Sequence, residues 1–197
     1  MKTISFIQPS RNNLKYLKWS YNSIRKNLGY RHEICMADDA SDDGTWMWMN
    51  KIADKDKNVK IHRNYGPKRL GHTILYDTLI NEYATNDIVM IYHADMYACP
   101  NMDVEVLKHL QPGKVVSATR IEPPLHPDGP EKILKDFGIE PEEFDEKGLM
   151  TFLDEGIDYT KKSTEGIFAP WAIYKEDFQS IGGHDPLYAP QSKEDSD

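Results

Sequence analysis

Long apolar runs and cysteines are both scarce in this 197-residue sequence. No run approaches the roughly 18 apolar residues that a membrane-spanning helix requires. The first residues contain only a short apolar run and no small-residue cleavage site, which predicts a strand and not a signal peptide. The two cysteines, Cys35 and Cys99, lack a metal-type spacing. We therefore expect a soluble, cytoplasmic protein in which both thiols are buried and reduced.

Basic residues are outnumbered, because 24 Lys and Arg face 32 Asp and Glu and give a formal net charge of −8. A protein that binds nucleic acid usually presents a basic field, so nucleic acid is not expected as a partner. A local basic pocket for phosphate groups stays compatible with this charge. The composition, with 39% hydrophobic and 28% charged residues, is typical of a globular domain and leaves the oligomeric state open.

Strand-like and helix-like patterns alternate over the first part of the chain. The predicted strands are residues 3–8, 33–37, 59–62, 87–95 and 115–122. The predicted helices are residues 14–28, 46–53, 71–84 and 101–110. The apolar strands lack strict polar alternation, as expected for strands that are buried on both sides. The pattern predicts an α/β fold with a mostly parallel sheet flanked by helices.

Two of these helices carry apolar stripes that predict which face is buried. In the first helix the stripe comprises Leu14, Leu17, Tyr21, Ile24 and Leu28. In the third helix the inward residues are expected to be Ile74, Leu75, Thr78 and Leu79. Asn12 or Asn13 is expected to cap the first helix, and Gly29 to end it.

Three polar clusters, PSRNN, DDASDDGT and HADMY, directly follow predicted strands. In open α/β sheets, ligands bind beyond the carboxyl ends of the strands. Asp38 and Asp39 end a buried strand, where their carboxylates can accept hydrogen bonds from a nucleobase or from ribose hydroxyls. The alternative is a plain strand-to-helix turn in which Ser41, Asp42 or Asp43 caps the helix.

The third cluster, His93-Ala94-Asp95, follows the strand that is expected to lie centrally in the sheet. A carboxylate such as that of Asp95 can hold Mg²⁺ or Mn²⁺, which in turn bridges a diphosphate. The alternative is a buried acid–histidine hydrogen bond without a metal. His93 is a candidate metal ligand, ribose contact or core histidine.

The C-terminal third differs in composition from the rest. Residues 122–165 are rich in Pro, Glu, Asp and Lys and predict loops and short helices inserted after the core sheet. The aromatic, Gly- and Pro-punctuated stretch that follows predicts a site-forming segment. Its final residues carry carboxylates, one of which can act as a general base on an acceptor hydroxyl.

Taken in order, five segments resemble family 2 glycosyltransferases with the GT-A fold. They are ISFIQPSRNN, EICMADDASDDGT, IVMIYHADM with its DXD-like motif, FQSIGGHDPLY with its Gly-Gly-x-Asp acceptor loop, and KEDSD with its Glu-Asp motif. The resemblance implies one GT-A domain (nucleotide-diphospho-sugar transferase, Rossmann-like) over residues 1–197. It also implies that the C-terminal part is truncated relative to the family.

The resemblance implies a role for each matching residue. The nucleotide would contact Pro9, Ser10, Arg11, Asp38, Asp39, His93 and Ala94. Asp95 would bind the metal, Mn²⁺ or Mg²⁺, and Asp195 would be the catalytic base. The acceptor would contact Trp171, His184, Asp185 and Glu194. For Trp171, ordinary core packing is the alternative to stacking on a sugar.

The implied activity is that of a hexosyltransferase-like enzyme that moves a sugar, with inversion, from a nucleotide sugar, favouring a UDP-sugar, to an acceptor hydroxyl. The sequence departs from the family at His93, which replaces the first acid of D-x-D. Where many relatives carry an Arg-Asn pair, the polar groups of this sequence are Lys68, Arg69 and His72. They are expected either to contact the diphosphate or to be solvated. Three alternatives stay open: an impaired nucleotide-sugar-binding fragment, a nucleotidyltransferase and a metal-dependent phosphoesterase.

Overall fold

The computed structural model describes residues 2–125, 127–129, 131–156 and 167–190. The strands are β1 (Ile4–Ser10), β2 (Glu33–Asp39), β3 (Val59–Asn64), β4 (Ile88–Ile91), β5 (Val116–Ser117), β6 (Arg120–Glu122), β7 (Lys132–Leu134) and β8 (Trp171–Tyr174). The helices are α1 (Leu14–Asn27), α2 (Thr45–Lys55), α3 (Gly71–Thr78), α4 (Met102–His109), α5 (Glu146–Asp154) and α6 (Lys175–Ser180). A π-helical turn (Leu79–Tyr83) continues α3, and a 3₁₀ turn (Pro186–Tyr188) follows α6.

Six strands form the main sheet in the order β3-β2-β1-β4-β8-β5. The pairs β1–β2, β1–β4 and β2–β3 are parallel, whereas β8 runs antiparallel to β4 and β5. The predicted α/β fold with a mostly parallel sheet is therefore confirmed. Because β1 lies between β2 and β4, their carboxyl ends gather at one edge of the sheet.

Helices cover both faces of this sheet. On one face, Phe6 of β1 packs in a cluster with Leu17 of α1 and Met49 of α2. On the other face, Ile7 packs in a second cluster with Leu75 of α3. Neighbouring strand residues point to opposite faces, so each central strand contributes to both clusters. This double coverage explains why every residue of β1, β2 and β4 is buried.

The predicted face of α1 is confirmed only in part. Leu17 and Ile24 are buried, while Leu14, Tyr21 and Leu28 are half-buried. Asn13 occupies the N-cap position without a side-chain capping bond, and Asp43 accepts a hydrogen bond from the N–H of Leu14 at 2.9 Å instead. Gly29 does not end the helix, because Leu28 turns into an extended conformation one residue earlier.

The predicted face of α3 is wrong at two positions. Ile74 and Thr78 are half-buried, whereas Thr73, Tyr76 and Ile80 are buried together with Leu75 and Leu79. The π-helical turn places more residues in each turn than an α-helix does. It begins only at Leu79, so the difference at Ile74 and Thr78 arises within α3 itself, where Thr73 and Tyr76 are buried instead.

The strand predicted over residues 115–122 is split in two. Ser117 pairs with Trp171 in the main sheet, whereas Arg120 pairs with Lys132 in a separate two-stranded parallel sheet, β6–β7. The predicted insertion, residues 122–165, therefore contains the strand β7 as well as α5. Cys35 is buried as expected, but Cys99 is half-buried.

Candidate functional site

A cleft of about 340 Å³ opens at the carboxyl ends of β1 and β4, beside the start of α3. Its lining residues are Pro9, Ser10, Arg11, Asn12, Asn13, Arg69, His72, Tyr76, His93, Ala94 and Asp95. The structure thus brings together six of the residues that the sequence singled out, from the first and third polar clusters. It also adds Arg69 and His72, whose environment the sequence left open.

Hydrogen bonds between two loops build one rim of the cleft. The N–H of Asn12 donates to Ser41 Oγ at 3.0 Å, and the N–H of Asp42 donates to Asn12 Oδ1 at 2.9 Å. Asp43 accepts from the N–H groups of Leu14 at 2.9 Å and Thr45 at 3.0 Å. Asp43 thereby ties the start of α1 to the start of α2 and fixes both loops.

Asp39 lies beneath the cleft and does not line it. Its carboxylate accepts hydrogen bonds from Asn64 Nδ2 at 2.7 Å and from the N–H groups of Leu70 and Gly71 at 3.0 Å each, and Arg69 Nε lies 3.7 Å away. Burial acts to raise the pKa of Asp39, but these donors outweigh it and hold the pKa below its ordinary value. Asp39 therefore anchors the loop that leads into α3.

The backbone of Asp39 also reaches the cleft, because its carbonyl accepts a hydrogen bond from Arg11 Nη1 at 2.9 Å. Asp38 is fully buried beside it. Its carboxylate accepts from the N–H of Ser41 at 3.2 Å and pairs with Arg63 Nε at 3.2 Å. Both acids lie at the predicted edge of the sheet, where they shape the floor and the rim of the cleft.

Asp95 differs from these acids because its side chain is exposed in the cleft. Within the part of the chain that the structure describes, no hydrogen bond or ion pair engages its carboxylate. A carboxylate is the hard oxygen ligand that Mg²⁺ and Mn²⁺ favour. Among the described residues no group of three or more His, Cys, Asp and Glu side chains is arranged to hold a metal. Asp95 thus fits as a single protein ligand to a cation that takes its other ligands from a diphosphate and water.

Three rings of the cleft wall contact one another. The ring centroids of His72 and His93 lie 6.2 Å apart, and Tyr76 lies 5.8 Å from His72 and 6.5 Å from His93, nearly parallel to the latter. The sequence reasoning did not single out Tyr76. Its position four residues after His72 on one helix face is the signal that could have found it.

Of the predicted acceptor residues, His184 contacts this wall. His184 packs its ring 5.6 Å from Tyr76 and 6.2 Å from Trp171. Trp171 is only 7% exposed and belongs to the core cluster around Ile7. Asp185 accepts from the N–H of Leu187 at 2.9 Å and begins the 3₁₀ turn. Glu194 and Asp195 lie outside the described residues.

Comparison with known proteins identifies the family. The sequence model for glycosyl transferase family 2 matches residues 5–174. The chain belongs to glycosyl transferase family 2. In a comparison with curated proteins, no sequence matches this chain.

Solved structures share the fold of this family 2 domain. A mannosyltransferase from Pyrobaculum calidifontis in complex with GDP-Man and Mn²⁺ superposes with a TM-score of 0.61 at 19% identity, over 93% of this chain and 47% of its own. S. aureus TarS 1-349 in complex with UDP gives 0.68 at 15% identity, over 99% and 53%. GalNAc-T7 with UDP, GalNAc and Mn²⁺ gives 0.69 at 15% identity, over 99% and 39%.

These similarities establish the GT-A fold of the family 2 domain. The chain spans about half the length, or less, of these three structures. Among the described helices, none has the length and apolar character required to cross a membrane.

Proposed function

We propose that this family 2 domain transfers a sugar, with inversion, from a nucleotide sugar to an acceptor hydroxyl, and that the donor is a UDP-sugar. One observation carries the proposal. At the carboxyl edge of the sheet, a single cleft combines an exposed carboxylate, Asp95, with two arginines, Arg11 and Arg69. A diphosphate with a divalent cation requires this combination of opposite charges.

The proposed roles divide the cleft into two sides. Direct nucleotide contacts are assigned to Pro9, Ser10, Arg11, His93 and Ala94. Asp38 and Asp39 are assigned to the nucleotide side through the rim and floor that they hold. Acceptor contacts are assigned to Trp171, His184, Asp185 and Glu194. Asp95 would hold Mn²⁺ or Mg²⁺, which supplies positive charge that stabilises the departing diphosphate.

In the proposed reaction, Asp195 takes the proton from the acceptor hydroxyl. The hydroxyl oxygen then bonds to the anomeric carbon while the bond to the diphosphate oxygen breaks, so that the configuration inverts and the nucleoside diphosphate leaves. Arg11 and Arg69 face the negative charge of the leaving group. A positioned general base contributes about 10²- to 10⁴-fold to the rate, and charge stabilisation contributes a comparable or larger factor.

The position of Pro190 supports the assignment of Asp195. Pro190 lies so close to Gly71, at the first turn of α3, that a Cβ at Gly71 would overlap the Pro190 carbonyl. The N–H of Gly71 also donates a hydrogen bond to Asp39. The segment from Pro190 to Asp195 spans roughly 18 Å when fully extended. The last described residue before the proposed base therefore lies at the end of α3 that adjoins the cleft.

A thermal-shift panel tests the donor class. UDP, GDP and ADP are each added with and without Mn²⁺, since a ligand that binds only the folded state raises the melting temperature by mass action. We expect the largest shift with UDP and only when Mn²⁺ is present. If none of the three nucleotides shifts the melting temperature, with or without Mn²⁺, the proposal is overturned. A shift with GDP alone would make a GDP-sugar the proposed donor.

A binding-only role is the second candidate, favoured by His93 at the first acidic position of D-x-D. A release assay separates the candidates. Free UDP formed from a UDP-sugar supports transfer, pyrophosphate formed from UTP and a sugar phosphate supports a nucleotidyltransferase, and UDP-sugar binding without product supports the binding-only role. Asp195→Asn should abolish UDP release while UDP binding persists, and a variant that releases UDP at the wild-type rate would remove Asp195 as the base.

A further inference from the structure

Asp77 lies on α3, outside the cleft lining, and makes polar contacts to the acceptor loop. Its Oδ1 accepts a hydrogen bond from His184 Nδ1 at 2.7 Å, and its Oδ2 accepts from the N–H of His184 at 3.2 Å. The sequence reasoning assigned no role to Asp77. An ionised carboxylate only accepts hydrogen bonds, so the network assigns the proton of His184 to Nδ1.

The backbone of the loop also fits closely around Asp77. Gly183 has φ +76°, and a Cβ at this position would overlap Asp77 Oδ2. The neighbouring Gly182 has φ +94°, but a Cβ there would meet no atom within 4 Å. The positive φ favours glycine at both positions. Only at Gly183 would a larger residue also collide with Asp77.

The residue before Asp77 links the same loop to the donor cleft. The ring of Tyr76 lies 5.6 Å from that of His184 and 6.5 Å from that of His93. Tyr76 is 1% exposed and belongs to the core, so its ring is held in place by packing. Adjacent residues of one helix therefore hold the acceptor loop and contact the donor side.

We propose that Asp77 is a positioning residue for the acceptor side of the site. It holds the Gly183-His184 turn against Tyr76 of the cleft wall, and thereby fixes the position of Asp185 and of the 3₁₀ turn that follows it relative to the donor cleft. The inference rests on the proposed transferase function. It makes a distinct claim, because loss of Asp77 should disturb transfer and leave donor binding intact.

The first experiment separates these two steps. Asp77→Ala and Asp77→Asn are compared with wild type for UDP binding with Mn²⁺ by calorimetry, and for UDP release from UDP-GlcNAc with water as acceptor. Because small misplacements of a reacting group can cost about 100-fold, we expect Asp77→Ala to slow release by about that factor without changing UDP affinity. Asp77→Asn keeps an oxygen for the N–H of His184 and should restore most of the release rate.

Release from Asp77→Ala at the wild-type rate would overturn the inference, and so would an equal loss in both Asp77 variants. If wild type neither binds UDP nor releases it, the proposed function fails instead. The His184 ring ¹⁵N shifts, measured by NMR, then test the contact by themselves. Asp77→Ala should shift the proton from Nδ1 toward Nε2, and an unchanged tautomer would end the proposal.

A matched glycine pair gives a second test that does not alter Asp77. Gly183→Ala and Gly182→Ala impose similar backbone strain, but only the former overlaps Asp77 Oδ2. We expect the larger loss of UDP release from Gly183→Ala, and a smaller additional loss when it is combined with Asp77→Ala. Equal losses from the two glycine variants would contradict the proposed contact.

Discussion

Two histidine–aspartate pairs of the same length lie in different parts of this domain. His32 Nε2 lies 2.7 Å from Asp103 at the amino ends of the strands, and His184 Nδ1 lies 2.7 Å from Asp77 beside the cleft. Both side chains of the first pair are fully buried, whereas the Asp77 side chain is 27% exposed. The same chemistry is thus placed in two different environments.

The buried pair is fully satisfied by the fold. His32 Nδ1 accepts from the N–H of Ile4 at 3.0 Å, so Nε2 donates to Asp103, which also accepts from the N–H groups of Gly29 and Tyr30 at 3.0 and 3.1 Å. Burial acts to raise the pKa of Asp103, but these hydrogen bonds hold it below the ordinary value. This pair joins β1, α4 and the turn before β2.

The pair beside the cleft joins one helix to one loop, and the His184 ring also contacts Tyr76 of the cleft wall and the core rings of Trp171 and Phe178. A histidine–aspartate pair is therefore not functional by its chemistry alone. Its position at the amino or the carboxyl ends of the strands separates a structural role from a functional one. Variants at the amino edge should therefore change mainly stability, and variants at the carboxyl edge should change ligand binding, as at Asp95, or turnover, as at Asp77.

The largest effect on stability is expected from Asp103→Ala. Removing Asp103 leaves His32 Nε2–H and the N–H groups of Gly29 and Tyr30 without their acceptor, at a cost of about 1 to 3 kcal/mol for each donor that stays buried and unsatisfied. Urea unfolding measures this loss. Asp77→Ala should cost less than half as much, and equal losses for the two variants would break the comparison.

A second amino-edge acid, Asp56, provides a pH-dependent test. Burial acts to raise its pKa, but the Asn58 N–H, Arg25, Tyr21 and Arg31 lower it to about 2 from the model-compound value of 3.8. At about 1.4 kcal/mol per pKa unit, the ionised group stabilises the fold by about 2 kcal/mol.

Because the folded-state pKa is lowered, this stabilisation is present above pH 4 and is lost as the pH falls toward 2. Asp56→Asn should therefore be less stable than wild type at pH 7 by about 2 kcal/mol, with the difference narrowing in acid. Urea unfolding across this pH range measures the difference. A difference that stays constant with pH would exclude the ion pairs as its source.

The smallest effect concerns thiol reactivity. Burial raises the pKa of Cys99 to about 11, so the thiolate is scarce at pH 8 and labelling by a disulfide reagent should be slow. Cys99 lies four residues before Asp103. Asp103→Ala should speed its labelling by loosening the amino edge, whereas Asp77→Ala should not, and acceleration in both variants would contradict the separation of the two edges.

The sequence predicted the parallel sheet and the gathering of Arg11, His93 and Asp95, because apolar runs and strand-end polar clusters are local patterns. It did not predict the contact between Asp77 and His184, which joins residues 107 positions apart without any local signal. The inward position of Tyr76 was also missed, although Tyr76 lies in the regular part of α3, before the π-helical turn, and its spacing from His72 was a local signal. For Asp39, the edge position was predictable, but the donors that surround its carboxylate were not.

Calorimetric titration of UDP, with and without Mn²⁺, tests most directly whether Asp95 makes the carboxyl edge a binding site for a nucleotide and a cation. Wild type and Asp42→Asn, a control acid that is exposed on the neighbouring loop outside the cleft lining, should bind UDP more tightly when Mn²⁺ is present. Asp95→Asn should lose this Mn²⁺-dependent gain while it melts at the wild-type temperature. Mn²⁺-dependent binding that is unchanged in Asp95→Asn would contradict the assignment of the site.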